Sequence, residues 1–141
     1  MEYFLTKQKA LKTLLTEARE NREKQSYIFE GAKGIGKMTA AKMFAAAIHC
    51  EGENKPCFNC PSCKKHLAAT HSDLIVIGED SPTIKVDDIR ALTDELFIRP
   101  ALSKKKIFII ENADNMNSDA QNALLKSFEE PPEYGIIILL S

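Results

Sequence analysis

Early in the chain an apolar run, Ser26-Tyr-Ile-Phe-Glu30, meets the glycine loop Gly31-Ala-Lys-Gly-Ile-Gly-Lys37, which feeds the alanine-rich stretch Thr39-Ala-Ala-Lys-Met-Phe-Ala-Ala-Ala-Ile48. Strand, tight loop and helix in that order constrain the fold more than any other feature, because a helix that closely follows a strand returns the chain for a parallel partner. Three later runs supply partners: Asp73–Ile77, Lys106–Ile110 and Ile136–Leu140. These strands are apolar throughout instead of alternating, the pattern of strands buried on both faces. Between them, Ile89, Leu92, Leu96 and Phe97 recur at helical spacing until Pro100. Ser118 and Gln121 have the form of a capping box opening a helix that buries Leu124, Leu125 and Phe128 and stops at Pro131-Pro132. At the start, Phe4, Leu11, Leu14, Leu15 and Ala18 mark an amphipathic helix of about four turns. The expected fold class is α/β, a parallel sheet sandwiched between helices in three layers.

A chain of 141 residues with 44% hydrophobic and 28% charged residues has enough apolar surface for one core, so residues 1–141 read as a single domain. The net charge of -1 provides no global field for nucleic acid, and any such contact must come from a local basic patch. The start, Met-Glu-Tyr-Phe-Leu, lacks the basic and then apolar stretch of a secretory signal. No apolar run approaches the ~20 residues of a membrane helix, so no membrane association is expected and the cytoplasm is the expected compartment. The run Gly135-Ile-Ile-Ile-Leu-Leu-Ser141 has no turn, cap or polar tail after it, the reading expected of a longer product cut where a buried strand ends.

The loop Gly31-Ala32-Lys33-Gly34-Ile35-Gly36-Lys37 fits G-x-x-x-x-G-K, the phosphate-binding loop, and sits between strand and helix as that chemistry requires. Its main-chain amides would form an anion nest at a helix start, and Lys37 would reach the outer phosphates of ATP or ADP. The next position calls for a Ser or Thr hydroxyl on Mg2+, and here it is Met38, with Thr39 one residue too late. Neighbouring helical residues point about 100° apart, so Thr39 is no simple substitute and Mg2+ binding is in doubt.

A nucleotide-hydrolysing site also needs a carboxylate at the end of a neighbouring strand for Mg2+ and often a following Glu to activate water. The run ending Ile110-Glu111-Asn112 puts Glu111 in the metal position, one methylene too long, and Asn112 in the base position. An amide cannot take the proton from water, and general-base catalysis contributes ~100- to 10,000-fold, so feeble hydrolysis or none is expected. Asp114 reads as a turn residue.

All four cysteines fall at 50, 57, 60 and 63. Four thiolates with Pro56, Asn59 and Pro61 between them fit a closed tetrahedral zinc site, a structural staple for an insertion over residues 50–66. His49 and His66 read as surface residues, although either is near enough to replace a cysteine. Lys55, Lys64 and Lys65 form a small basic patch, read as solvated surface or, in a sharper alternative, as the face of a zinc-centred nucleic-acid-binding module.

Together the glycine loop, the four-cysteine insertion after its helix, Ile84-Lys-Val-Asp-Asp-Ile-Arg-Ala-Leu92 and Asn122-Ala-Leu-Leu-Lys-Ser-Phe-Glu-Glu-Pro-Pro132 resemble bacterial DNA polymerase III clamp-loader subunits of the AAA+ class, gamma/tau and delta-prime. The last segment is similar to the family signature N-x-L-L-K-x-L-E-E-P-P, and the resemblance runs from about residue 5 to the end. It implies a P-loop AAA+ domain, other clamp-loader subunits as partners in a pentamer, and DNA and the sliding clamp met through that complex. Gamma/tau subunits keep a full magnesium loop and an Asp-Glu pair, whereas delta-prime commonly has eroded versions, so Met38, Glu111 and Asn112 point to delta-prime. A gamma/tau-like active ATPase is the alternative. The family's arginine-finger motif, helical lid and collar would follow residue 141, and Ser141 stands at or beside the family's sensor position.

Overall fold

The computed structural model describes residues 2–31, 36–79 and 83–141, with side chains from residue 10 onward. Two compact units make up the chain, one of Met1–Lys24 with Met38–His71 and the other of Gln25–Lys37 with Ser72–Ser141.

The second unit holds a parallel sheet of β1 (Ser26–Phe29), β2 (Leu74–Ile77), β3 (Lys106–Ile110) and β4 (Gly135–Leu140) in the order β1-β4-β3-β2. The α/β class expected of the apolar runs is therefore the class observed. Every residue of β3 is buried, as are all of β4 except Leu139; the apolar residues follow the expected pattern, and Lys106 at the start of β3 is buried with its Nζ donating to Glu95 and to the Ile98 carbonyl at 3.0 Å. β1 departs from that expectation: among the described residues it pairs with β4 alone, and Ile28 on it is 64% exposed. An edge strand has a neighbour on one side only, so an apolar run there does not guarantee burial.

One face of the sheet packs on α4 (Val86–Leu96) and α5 (Ser118–Ser127). Phe108, Ile110 and Ile137 from the strands meet Ile89, Leu92 and Leu96 from α4 and Ala120 and Leu124 from α5 in one cluster. Each such side chain contributes about 1.5–3 kcal/mol by leaving water. Two helical expectations shift. The cap of α5 is Asn117, whose side chain accepts from the Ala120 amide, so Ser118 is the first helical residue and Gln121 bonds instead to the Met116 carbonyl. Leu124 turns inward and Leu125, one position on and about 100° round the helix, is 64% exposed, while Phe97, just past α4, is 61% exposed.

The loop from α4 to β3 is held by Asp73. Its carboxylate accepts the amides of Ala101, Leu102 and Ser103 at 2.7–2.8 Å and the Ser103 hydroxyl at 3.0 Å. Burial opposes its ionisation, but those donors outweigh it and hold its pKa below the usual carboxylate value.

In the first unit, α1 (Glu2–Arg19) precedes most of α2 (Lys37–His49), whose buried residues include Ala41, Phe44, Ala45 and Ala47. The cysteine segment follows, then α3 (Pro61–Leu67). Arg19 Nε donates to the Lys55 carbonyl at 2.8 Å, tying the end of α1 to that segment.

Candidate metal centre and nucleotide loop

Cys50 directly follows α2, Cys57 and Cys60 lie on the knuckle, and Cys63 lies in the first turn of α3. Cys60 is also the N-cap of α3: its sulfur accepts the Cys63 amide at 3.4 Å, and Pro61 occupies the start, where no amide is needed. The four sulfurs lie within 4.8 Å of one another, and the thiols are free. Zinc–sulfur bonds of about 2.3 Å set tetrahedral S···S edges near 3.8 Å, so the cluster needs only a small contraction to hold a metal ion such as zinc.

The main chain is arranged for thiolates. Cys50 Sγ accepts the amides of Gly52 at 3.3 Å and Cys57 at 3.4 Å, and Cys57 Sγ those of Asn59 at 3.4 Å and Cys60 at 3.2 Å. A Cβ on Gly52 would stand 3.0 Å from Cys57 Sγ, so the tight wrapping favours glycine. The amides of Asn59 and Cys60 lower the Cys57 thiol. At Cys60 burial works the other way, but amides and neighbouring thiols outweigh it and bring the pKa down to about 6. Burial pushes Cys50 up and Cys63 up to about 12, so these two sulfurs shed protons when a dication arrives.

Beside this cluster the structure corrects the reading of the histidines. His49 is 3% exposed and His71 5%, and His66 is half-buried. Nδ1 of His49 is 2.8 Å from Nε2 of His66, and the His71 ring stacks on both, at centroid distances of 4.3 and 4.6 Å. Burial drives the His66 pKa down to about 4. His71 carried no signal in the sequence, since the 49, 66 and 71 spacing matches no helical or ligand repeat. Lys64 and Lys65 are exposed as expected, and Lys55 is half-buried.

Ala32, Lys33, Gly34 and Ile35 of the glycine loop lie outside the described residues. Its two ends are described. Gly36 has φ of 79°, a left-handed conformation that suits glycine, and Lys37 opens α2. Lys37 Nζ donates to the Gly31 carbonyl at 2.7 Å and to the Ser141 main-chain oxygen at 2.5 Å, so the lysine spans the ends of β1 and β4. Met38 is half-buried and Thr39 exposed.

Glu111 follows β3, and its amide bonds to the Ile77 carbonyl at 2.9 Å. Asn112 has φ of 57°, and its side-chain Nδ2 donates to the Gly78 carbonyl at 3.2 Å. Asn is among the few residues that accept this backbone at low cost. A Cβ on Gly78, itself at φ of 84°, would stand 2.3 Å from the Glu111 carbonyl oxygen. The residue in the base position thus fastens the ends of β2 and β3 together. Asp114 lies exposed in a short 3-10 turn, as expected.

The family described as DNA polymerase III, delta subunit, matches residues 6–141. The chain is 37% identical over 134 residues to the DNA polymerase III subunit delta' of Bacillus subtilis (strain 168), covering 94% of this chain and 41% of that protein. To the tau subunit of the same organism it is 38% identical over 130 residues, covering 91% of this chain and 23% of that one. The crystal structure of a DNA polymerase III gamma subunit-related protein from Thermotoga maritima shares the fold, with a TM-score of 0.66 and 26% identity, over 93% of this chain and 38% of that one. The chain thus spans less than half the length of these relatives.

Proposed function

As the chain belongs to the DNA polymerase III clamp-loader family, matched through its delta-subunit description, we propose that it acts as a delta-prime-like subunit that helps load the sliding clamp onto primed DNA, with little or no ATP hydrolysis of its own. The observation that carries this reading is Asn112, whose amide is engaged with the Gly78 carbonyl where a hydrolytic site needs a free base. Met38 and Glu111 support it, as neither offers the usual magnesium ligand. Residues 1–141 are on this reading the AAA+ P-loop domain, with residues 50–66 as its zinc-stapled insertion and the other clamp-loader subunits as cytoplasmic partners.

Gly31–Lys37 would hold the phosphates of ATP or ADP, with the Lys37 ammonium exchanging two main-chain oxygens for phosphate oxygens. Phosphate cradling is separable from hydrolysis, so a bound nucleotide would serve as a fixed part of the subunit. Cys50, Cys57, Cys60 and Cys63 would hold a structural zinc ion; four thiolates close its shell and leave no catalytic position.

A gamma/tau-like active ATPase is the second reading, favoured by an identity to the tau subunit equal to that for delta' within one per cent. Steady-state ATPase measured on the protein alone and in the reconstituted loader separates the two. We expect turnover in the complex that persists when Lys37→Ala is introduced here. Turnover by the isolated protein that vanishes with Lys37→Ala would overturn the delta-prime-like reading.

A further inference from the structure

The three histidines beside the cysteine knuckle are drawn from separate segments: the last residue of α2, the last turn of α3 and the stretch after it. Their ring nitrogens lie within 4.8 Å of one another, and two of the three residues are buried. We propose that His49, His66 and His71 form a second metal site, taking a borderline divalent ion such as Zn2+ or Co2+ through three imidazole nitrogens and leaving a fourth position to water.

Imidazole suits Zn2+, Co2+ and Ni2+, whereas the four thiolates nearby complete a shell by themselves and have no need of nitrogen. His49 Nδ1 and His66 Nε2, 2.8 Å apart, now share one proton; a metal ion takes that proton's place as both lone pairs turn to it. The Ser62 hydroxyl stands 3.1 Å from His71 Nε2; in the metal-bound tautomer it would accept the Nε2 proton while Nδ1 turns to the ion, the outer contact that orients a metal-binding histidine. The rings stack at present, with 10° between the His49 and His71 planes. Ligation turns them about Cβ–Cγ, a broad and soft torsion in histidine. The inference does not depend on the clamp-loader reading.

Cobalt titration of the metal-free protein tests it. We expect saturation at about two equivalents, the first adding intense thiolate-to-cobalt absorption and the second only weak visible bands. His66→Ala should reduce the stoichiometry to about one with the thiolate absorption intact, and Cys60→Ser should keep the nitrogen-bound ion. In the unaltered protein, long-range proton–nitrogen NMR should show imidazole nitrogens shifting only as the second equivalent of Zn2+ enters. Saturation at one equivalent, a second equivalent retained by His66→Ala, or imidazole signals indifferent to Zn2+ would each overturn the site in favour of a hydrogen-bonded stack.

Discussion

The cysteine knuckle and the carboxyl end of the sheet both gather side chains from separate stretches of chain, but they differ in completeness. At the knuckle every donor is present and main-chain amides support the sulfurs. At the sheet end the described side chains serve as fastenings: Asn112 ties β3 to β2, and Lys37 ties Gly31 to the end of β4. The difference teaches that a metal staple is inseparable from the local fold, because the ligands and the turns are the same residues. A hydrolytic site is separable, because hydrogen bonds hold its scaffold whether or not a base is there.

The largest effect should come from breaking the staple. Cys60→Ser removes a ligand while keeping a side-chain oxygen to cap α3, so zinc affinity should fall by more than about 100-fold and protease should cut residues 50–66 sooner, with the sheet still folded. Unfolding of the whole chain, seen as loss of the sheet's circular dichroism, would mean the two regions are not independent. With Cys50 and Cys63 protonated by burial, zinc binding must displace protons and should tighten as pH rises from 6 to 8; a flat profile by competition with a chelator would contradict that.

Next in size is the sheet unit's own anchor. Asp73→Ala leaves three amides of the 101–103 loop without their acceptor and should cost about 3 kcal/mol in denaturant unfolding. Because the folded pKa of Asp73 lies below its unfolded value, its contribution is full above the ordinary carboxylate range, about 3.9, and is lost as pH falls through the folded value. Stability of Asp73→Asn should therefore fall less on acidification than that of the unaltered protein.

A smaller effect would sharpen the comparison from the other side. Met38→Thr, Glu111→Asp and Asn112→Glu together should tighten magnesium-nucleotide binding about tenfold, near 1.4 kcal/mol, by calorimetry. Unchanged affinity would show that the pocket lacks more than those three side chains. Asn112→Ala alone should be the mildest, losing one amide hydrogen bond and a tolerated left-handed residue for about 1 kcal/mol. A cost near zero would deny Asn112 its fastening role.

Much of this was legible in the chain. The cysteine spacing announces a candidate metal site because the four residues are close in sequence, and the apolar runs at 107–110 and 136–140 announce buried strands because side chains on both faces leave water. Asn112, an amide just past the end of β3, was likewise visible in the chain. Its bond to Gly78 was not, and neither were the cap at Asn117 or the choice between Leu124 and Leu125, which packing of α5 on the sheet decided.

What the sequence by itself determined is local: which segments are strands, where the glycine-rich segment sits between strand and helix, and which thiol donors the knuckle offers. Only the tertiary structure decided the strand order β1-β4-β3-β2, the exposure of Ile28 on β1, the partners of Lys37 and Asn112, and the meeting of three histidines spread from 49 to 71. The physical reason is chain separation. Local conformation follows from sterics and periodicity within a few residues, whereas these contacts exist only after the core has brought distant segments within hydrogen-bonding reach.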